Sequence, residues 1–145
     1  MRHFSGGKVE GTVLVALDTG EDILPAIRRV IAEEGITDGV VVSGIGSLAK
    51  ARYHIVEPGD RLPWKDTFLE RKGTIEILSI SGLISNGEPH LHIAMSQDDQ
   101  AFGGHLEEGC EVLTLAEIVI LRLSGRTERI VNELGFGRLH PKLEG

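Results

Sequence analysis

The spacing of apolar positions changes period twice along the chain, and the changes mark out its elements. Gly11 to Leu17 is apolar and β-branched enough for a strand, and Asp18-Thr19-Gly20 punctuates it. Ile23, Leu24, Ile27, Val30 and Ile31 then recur at helical spacing, with Pro25 tolerable in a first turn and Gly35 as a stop. Glu21 and Asp22 lie at the positive end of that helix. Its apolar face predicts a cover for one side of a sheet. Beyond Thr37 the period falls to two, which predicts strands over 37–45, 48–57 and 67–72. Ser43-Gly44-Ile45-Gly46 lacks the pattern of a P-loop or a dinucleotide fingerprint, so it reads as a tight bend or a close backbone approach. Pro58 to Lys65 reads as a loop, in which Trp64 either caps a pocket or joins a subunit contact.

The most informative stretch is Asn86 to Leu106, NGEPHLHIAMSQDDQAFGGHL. Asn86-Gly87 is a strong hairpin signal, because both central residues of a type I′ turn need φ > 0. A two-residue loop there pairs Ser85 with Glu88, Leu83 with His90, Ser81 with His92 and Ser79 with Ala94. A turn centred on Asp98-Asp99 pairs Met95 with Phe102 and His92 with His105, unless Gly103-Gly104 bulges and shifts the register. The resulting meander has two faces, since alternate residues share a side. Leu78, Ile80, Gly82, Leu91, Ile93, Met95, Phe102, Gly104 and Leu106 make a core face. The other gathers His90, His92 and His105 among small residues.

Three imidazoles converging on one point suit a divalent transition metal, zinc above all, and leave a fourth position for water or a ligand. The ordinary alternative is that two of them are solvated and the third packs near a turn.

The longest apolar run, VLTLAEIVILRL over 112–123, is apolar in both alternating rows. Such a strand belongs at the centre of a sheet or under a subunit interface. Glu117 interrupts its greasier row. A buried lone carboxylate is costly unless paired or protonated, so Glu117 needs a partner there or else sits at an edge in water. Lys50, Arg52 and His54 alternate onto one strand face, which is either a solvated face or one that meets an anion.

Composition narrows the classes. The 145 residues suit one domain, with a polar tail after Ser124. A formal charge of −7 opposes nonspecific contact with phosphate backbones. The single cysteine, Cys110, rules out an internal disulfide framework and is consistent with a reducing cytoplasm. No apolar run is long enough for a membrane span, and no signal-peptide pattern opens the chain.

GTIEILSISG, GEPHLHIAMS and GGHLEEGCEVLTLAEIVI together resemble the PPC domain, the plant and prokaryote conserved domain. ALDTGEDILPAIRRVIAEEGI and GVVVSGIGSLAKARYHI are similar to it as well, so the likeness covers about residues 3–135. The resemblance implies a single α+β domain, a mainly antiparallel curved sheet covered by one amphipathic helix, assembled as a homotrimer. It implies zinc held by histidines. It carries a DNA-binding label, since plant members join the domain to AT-hook segments. It also implies a fold like that of acetolactate decarboxylase, a zinc enzyme with a comparable H-x-H…H pattern.

Three functions follow in order. The first is a trimeric zinc-binding module with a regulatory or small-molecule role, its metal on His90, His92 and His105. The second is a zinc-dependent lyase or hydrolase, with Glu117 as acid or base. The third is a DNA-binding protein, whose contacts would come from Lys50 and Arg52 repeated by threefold symmetry. The negative charge and the lack of an AT-hook or a recognition-helix signature weigh against that last reading.

Overall fold

The computed structural model describes residues 1–59 and 64–142. The loop expected over 58–65 therefore lies partly outside the described residues. Strand β1 (Val9–Asp18) leads through a turn into helix α1 (Ile23–Glu33). Six strands follow: β2 (Gly39–Glu57), β3 (Lys65–Ser85), β4 (Glu88–Gln97), β5 (Gln100–Leu106), β6 (Glu111–Leu123) and β7 (Thr127–Val131). A last strand, β8 (Gly137–Pro141), pairs with β7.

The helix forms where the 3.6-residue spacing placed it, and it buries Ile23, Leu24, Ala26, Ile27 and Ile31. Its end follows from Gly35, which takes φ of 59° while Ile36 N–H donates back to Ile31 O at 2.9 Å. The sheet order is β1-β6-β2-β3-β4-β5, every pairing antiparallel, and β5 also pairs with β2. Strands β2 to β5 thus close into a ring, while β1 and β6 extend one flank. One core fills the fold, with Ile27, Leu48, Ile75, Ile80, Leu91, Met95, Leu106, Ile118 and Ile120 all buried.

The hairpin registers are those the turns dictate. Ser85 pairs with Glu88, Leu83 with His90, Ser81 with His92 and Ser79 with Ala94. Met95 pairs with Phe102 and His92 with His105, with no shift at the glycines. Asn86 and Asp98 accept φ of 52° and 54°, the left-handed turn conformation that asparagine and aspartate tolerate best after glycine.

Three expectations are corrected. The strands expected over 37–45 and 48–57 are one strand, and so are 67–72 and the strand after Gly73. Glycine bends these strands instead of ending them. Gly46 adopts φ of 145°, and a Cβ there would lie 2.3 Å from the Leu115 carbonyl oxygen, which makes it the close approach foreseen. Leu78 leaves the core face, because β3 bulges between Ile77 and Ser79; Ile77 takes its place and Leu78 is 54% exposed. The run over 112–123 is covered on one side only. Val112, Ala116, Ile118 and Ile120 are buried, whereas Leu115 and Glu117 are exposed on the outer face, so Glu117 needs no buried partner. The polar tail carries the β7–β8 hairpin, which Thr127 anchors to the body by donating from its amide to Asp38 Oδ1 at 2.7 Å.

Ring closure depends on Gly104. A Cβ there would sit 2.4 Å from the His54 carbonyl oxygen and 3.0 Å from the Tyr53 ring. Gly104→Val should push β5 off β2 and destabilise the fold by about 2 kcal/mol or more. Urea unfolding monitored by circular dichroism checks this, and an unchanged midpoint would contradict it.

Candidate metal centre

Closing the ring sets histidines opposite one another. His105 on β5 faces His92 on β4 and His54 on β2. His90 lies two residues from His92 on the same face of β4. The His54 and His105 rings stack with centroids 4.4 Å apart. His90 stands edge-on to His105 at 4.8 Å, and His92 is 5.6 Å from each of them. Four imidazoles therefore share one hollow of about 350 Å³, walled also by Ile55, Val56 and Gly104.

A carboxylate joins them. His54, with its proton on Nδ1, donates to Glu107 Oε1 at 2.7 Å. Nδ1 of His105 is 3.3 Å from the same oxygen but is buried and makes no hydrogen bond. The ligand atoms of His54, His105 and Glu107 all lie within 4.8 Å of one another. His54 Nε2 is 3.9 Å from Asp66 Oδ1, too far for a hydrogen bond.

The segment carrying Glu107 is fixed from three sides. Glu107 N–H and the Cys110 thiol both donate to the Arg52 carbonyl, each at 3.2 Å. Gly109 N–H donates to Asp22 Oδ2 at 2.6 Å, and Glu108 pairs with Arg28 on the helix. Burial pushes the Cys110 thiol up to about 11, so it stays a protonated donor.

Burial and neighbouring charge disfavour the protonated form of two of these imidazoles. Burial, then Arg129, then the neighbouring histidines push His90 down to about 4. Burial followed by His54 also lowers His105, against the opposing pull of Glu107. Neutral imidazole is the form that binds metal. A buried nitrogen without a partner, amid three more imidazoles and a carboxylate, is a donor set that suits a zinc-class ion.

The structure gathers His90, His92 and His105 as the hairpin spacing required. It adds His54 and Glu107, which sequence reasoning missed. His54 had been grouped with Lys50 and Arg52, and only the long-range β2–β5 pairing brings it here. Glu107 sits two residues past His105, where strand parity gave the only hint. Glu117 is not in this lining; it pairs across the flank with Ala16 and Ile45. Lys50 pairs with Glu70 at 3.1 Å, and its hydrogen bond holds that carboxyl below the usual range. Arg52 lies over the Phe68 ring at 5.3 Å and reaches the Glu108 carbonyl. That face is therefore internally compensated.

The sequence signature of the Plants and Prokaryotes Conserved (PCC) domain matches residues 4–124. Bifunctional protein GlmU of Synechococcus sp. (strain JA-2-3B'a(2-13)) is 34% identical over 103 residues, which are 70% of this chain and 15% of that protein. The chain thus spans about 15% of the length of the curated relatives it matches. A metal-containing protein of Archaeoglobus fulgidus has a similar structure, with a TM-score of 0.82, 30% identity and coverage of 95% of this chain and 98% of that one. A protein of Bacteroides thetaiotaomicron, named as a proposed DNA-binding protein, superposes with a TM-score of 0.81 at 25% identity, covering 92% and 94%. α-Acetolactate decarboxylase of Bacillus subtilis shares the fold at 15% identity and a TM-score of 0.54, covering 76% of this chain and 51% of that one.

The shift of His90 sets a pH dependence. In the unfolded chain histidine protonates near pH 6.5, whereas in the metal-free fold His90 stays neutral down to about pH 4. Between those values the unfolded state binds more protons, so metal-free stability should fall as pH drops from about 6.5 toward 4. NMR titration of the imidazole carbons checks the cause, and a His90 midpoint at or above 6.5 would refute it.

Proposed function

The chain belongs to the Plants and Prokaryotes Conserved domain family, and on that premise we propose that it is a trimeric module holding one zinc-class ion per chain on His90, His92 and His105. The observation that carries this reading is the gathering of four imidazoles on one hollow, with His90, His92 and His105 ring centroids 4.8–5.6 Å apart and His54 stacked on His105. The metal named for the similar Archaeoglobus protein supports it. His54, held by its hydrogen bond to Glu107 and stacked on His105, stands beside the three ligands. A location in the cytoplasm accords with a cysteine that is free and buried.

The role is regulatory or directed at a small molecule. A zinc-class ion there would supply Lewis acidity toward an oxygen ligand in the hollow. The Glu107 carboxylate, within hydrogen-bond reach of one imidazole, favours a second reading as a zinc-dependent lyase or hydrolase, with Glu107 rather than Glu117 moving the proton. DNA binding, the role in the Bacteroides protein's name, has weaker support in this chain. The net charge is −7, and Lys50 and Arg52 are already engaged by Glu70, Phe68 and the Glu108 carbonyl.

The trimer rests on the outer sheet face. Leu14 is 77% exposed, and Val42, Ile45, Leu78 and Leu115 are about half exposed on neighbouring strands. Exposed apolar side chains gathered on one sheet face, with Glu117 among them, are what an association surface offers.

Two outcomes are expected. Metal analysis of purified protein should give about one zinc-class ion per chain, and zinc should raise the melting temperature at neutral pH. Both effects should be lost in His92→Ala; unchanged metal content in that variant would sink the ligand assignment. Light scattering should report a homotrimer, and a monomer at micromolar concentration would overturn the assembly.

A further inference from the structure

We propose that the cavity beside the histidine hollow binds a small organic carboxylate with a flat apolar body, seated on Trp64 and Phe136 with its charge met by Arg138 and Arg129. The proposal rests on the metal reading for its setting, because the ligand's far end would reach the histidines. The cavity measures about 580 Å³, within the range of small-molecule sites. It shares Val56 and His90 with the histidine hollow, so the two spaces adjoin.

Its chemistry is one-sided. Trp64 and Phe136 stand edge to face with centroids 6.2 Å apart, and the Arg138 guanidinium lies 5.6 Å over the Phe136 ring. Leu134 and Val56 complete the apolar wall, and among the described residues no acidic side chain lines it. Flat apolar surface beside a guanidinium recognises an aromatic or unsaturated body bearing a carboxylate, which arginine can grip with two parallel hydrogen bonds.

Arg129 supplies the second charge. It pairs across β7–β8 with Leu139, on the hairpin face opposite Arg138, but it borders the cavity: its Cβ and Cδ lie about 4 Å from where a side chain on Gly137 would begin, and its charge reaches His90, both lining residues. Its Nε is buried and makes no hydrogen bond. Among the described residues it has no ion pair, whereas Arg28, Arg29 and Arg122 each meet a glutamate. A half-buried guanidinium without a counter-ion is costly, and an anion in the cavity would relieve that cost. All of these groups except Val56, Trp64 and His90 lie beyond residue 124, outside the matched family region. The site is therefore built largely by the C-terminal hairpin.

Trp64 is the single tryptophan, so its fluorescence reports on this cavity alone. The test titrates benzoate, isosteric neutral benzamide and cationic benzylamine into the full chain, with and without zinc. Benzoate should change Trp64 emission saturably, with benzamide at least about tenfold weaker and benzylamine silent. Arg138→Gln and Arg129→Met should each weaken benzoate about tenfold, and Arg138→Lys should retain part of the affinity. Equal responses to benzoate and benzamide, or no saturable response in folded protein, would overturn the proposal. His92→Ala should lose zinc yet keep benzoate binding. Benzoate binding in a wild-type chain that takes no zinc would therefore defeat the metal reading while supporting this one.

Discussion

The histidine cluster depends on how closely β5 can lie against β2. Only two residue pairs join those strands, Tyr53 with Leu106 and His54 with His105. The approach is possible because Gly104 has no side chain to meet the His54 carbonyl. It is held by hydrogen bonds that converge on the Arg52 carbonyl from Glu107 and Cys110. Without this seam β4 and β5 would still present three imidazoles, with Glu107 two residues past the last of them, but His54 would belong to a separate edge.

The two long strands divide their labour along their length. The first half of β2 lies between β3 and β6, turns Val42 and Ile45 outward, and buries Val41 and Leu48. The second half bends away past Gly46 and carries His54 to the ring. The bulge in β3 repeats this division by turning Leu78 out and Ile77 in. An apolar outer face and a polar inner hollow thus rest on one continuous piece of backbone.

Much of the hairpin region was legible in the sequence, because turn chemistry acts locally. Asn86-Gly87 and Asp98-Asp99 need specific backbone signs, and each sets a register that carries His90, His92 and His105 to one side. The helix was equally plain from the spacing of Ile23 through Ile31. What escaped was non-local. No spacing rule brings residue 54 to residue 105, and a period-two pattern cannot tell a bend at Gly46 from a strand end. Leu78 was misplaced because a bulge changes parity without any composition signal. Whether Glu117 is buried or solvated was not legible, because both rows of its strand are apolar, while a single chain covers only one of them. The C-terminal hairpin was missed because its strands are short and polar.

The seam between β2 and β5 also sets an order of events as the chain folds. The β4–β5 hairpin can form from local pairing alone, on the microsecond scale of such hairpins. His54 and Glu107 are 53 residues apart, so their bond must wait until β3 and β4 have been laid down between them. Closing so long a loop costs entropy that only the packed core repays. A nascent chain therefore forms the H-x-H hairpin early but acquires its fourth imidazole, and the bond that ties it to Glu107, last. The complete donor set is a property of the finished fold, and a partly folded chain offers a stray ion no more than the loose ends of one hairpin.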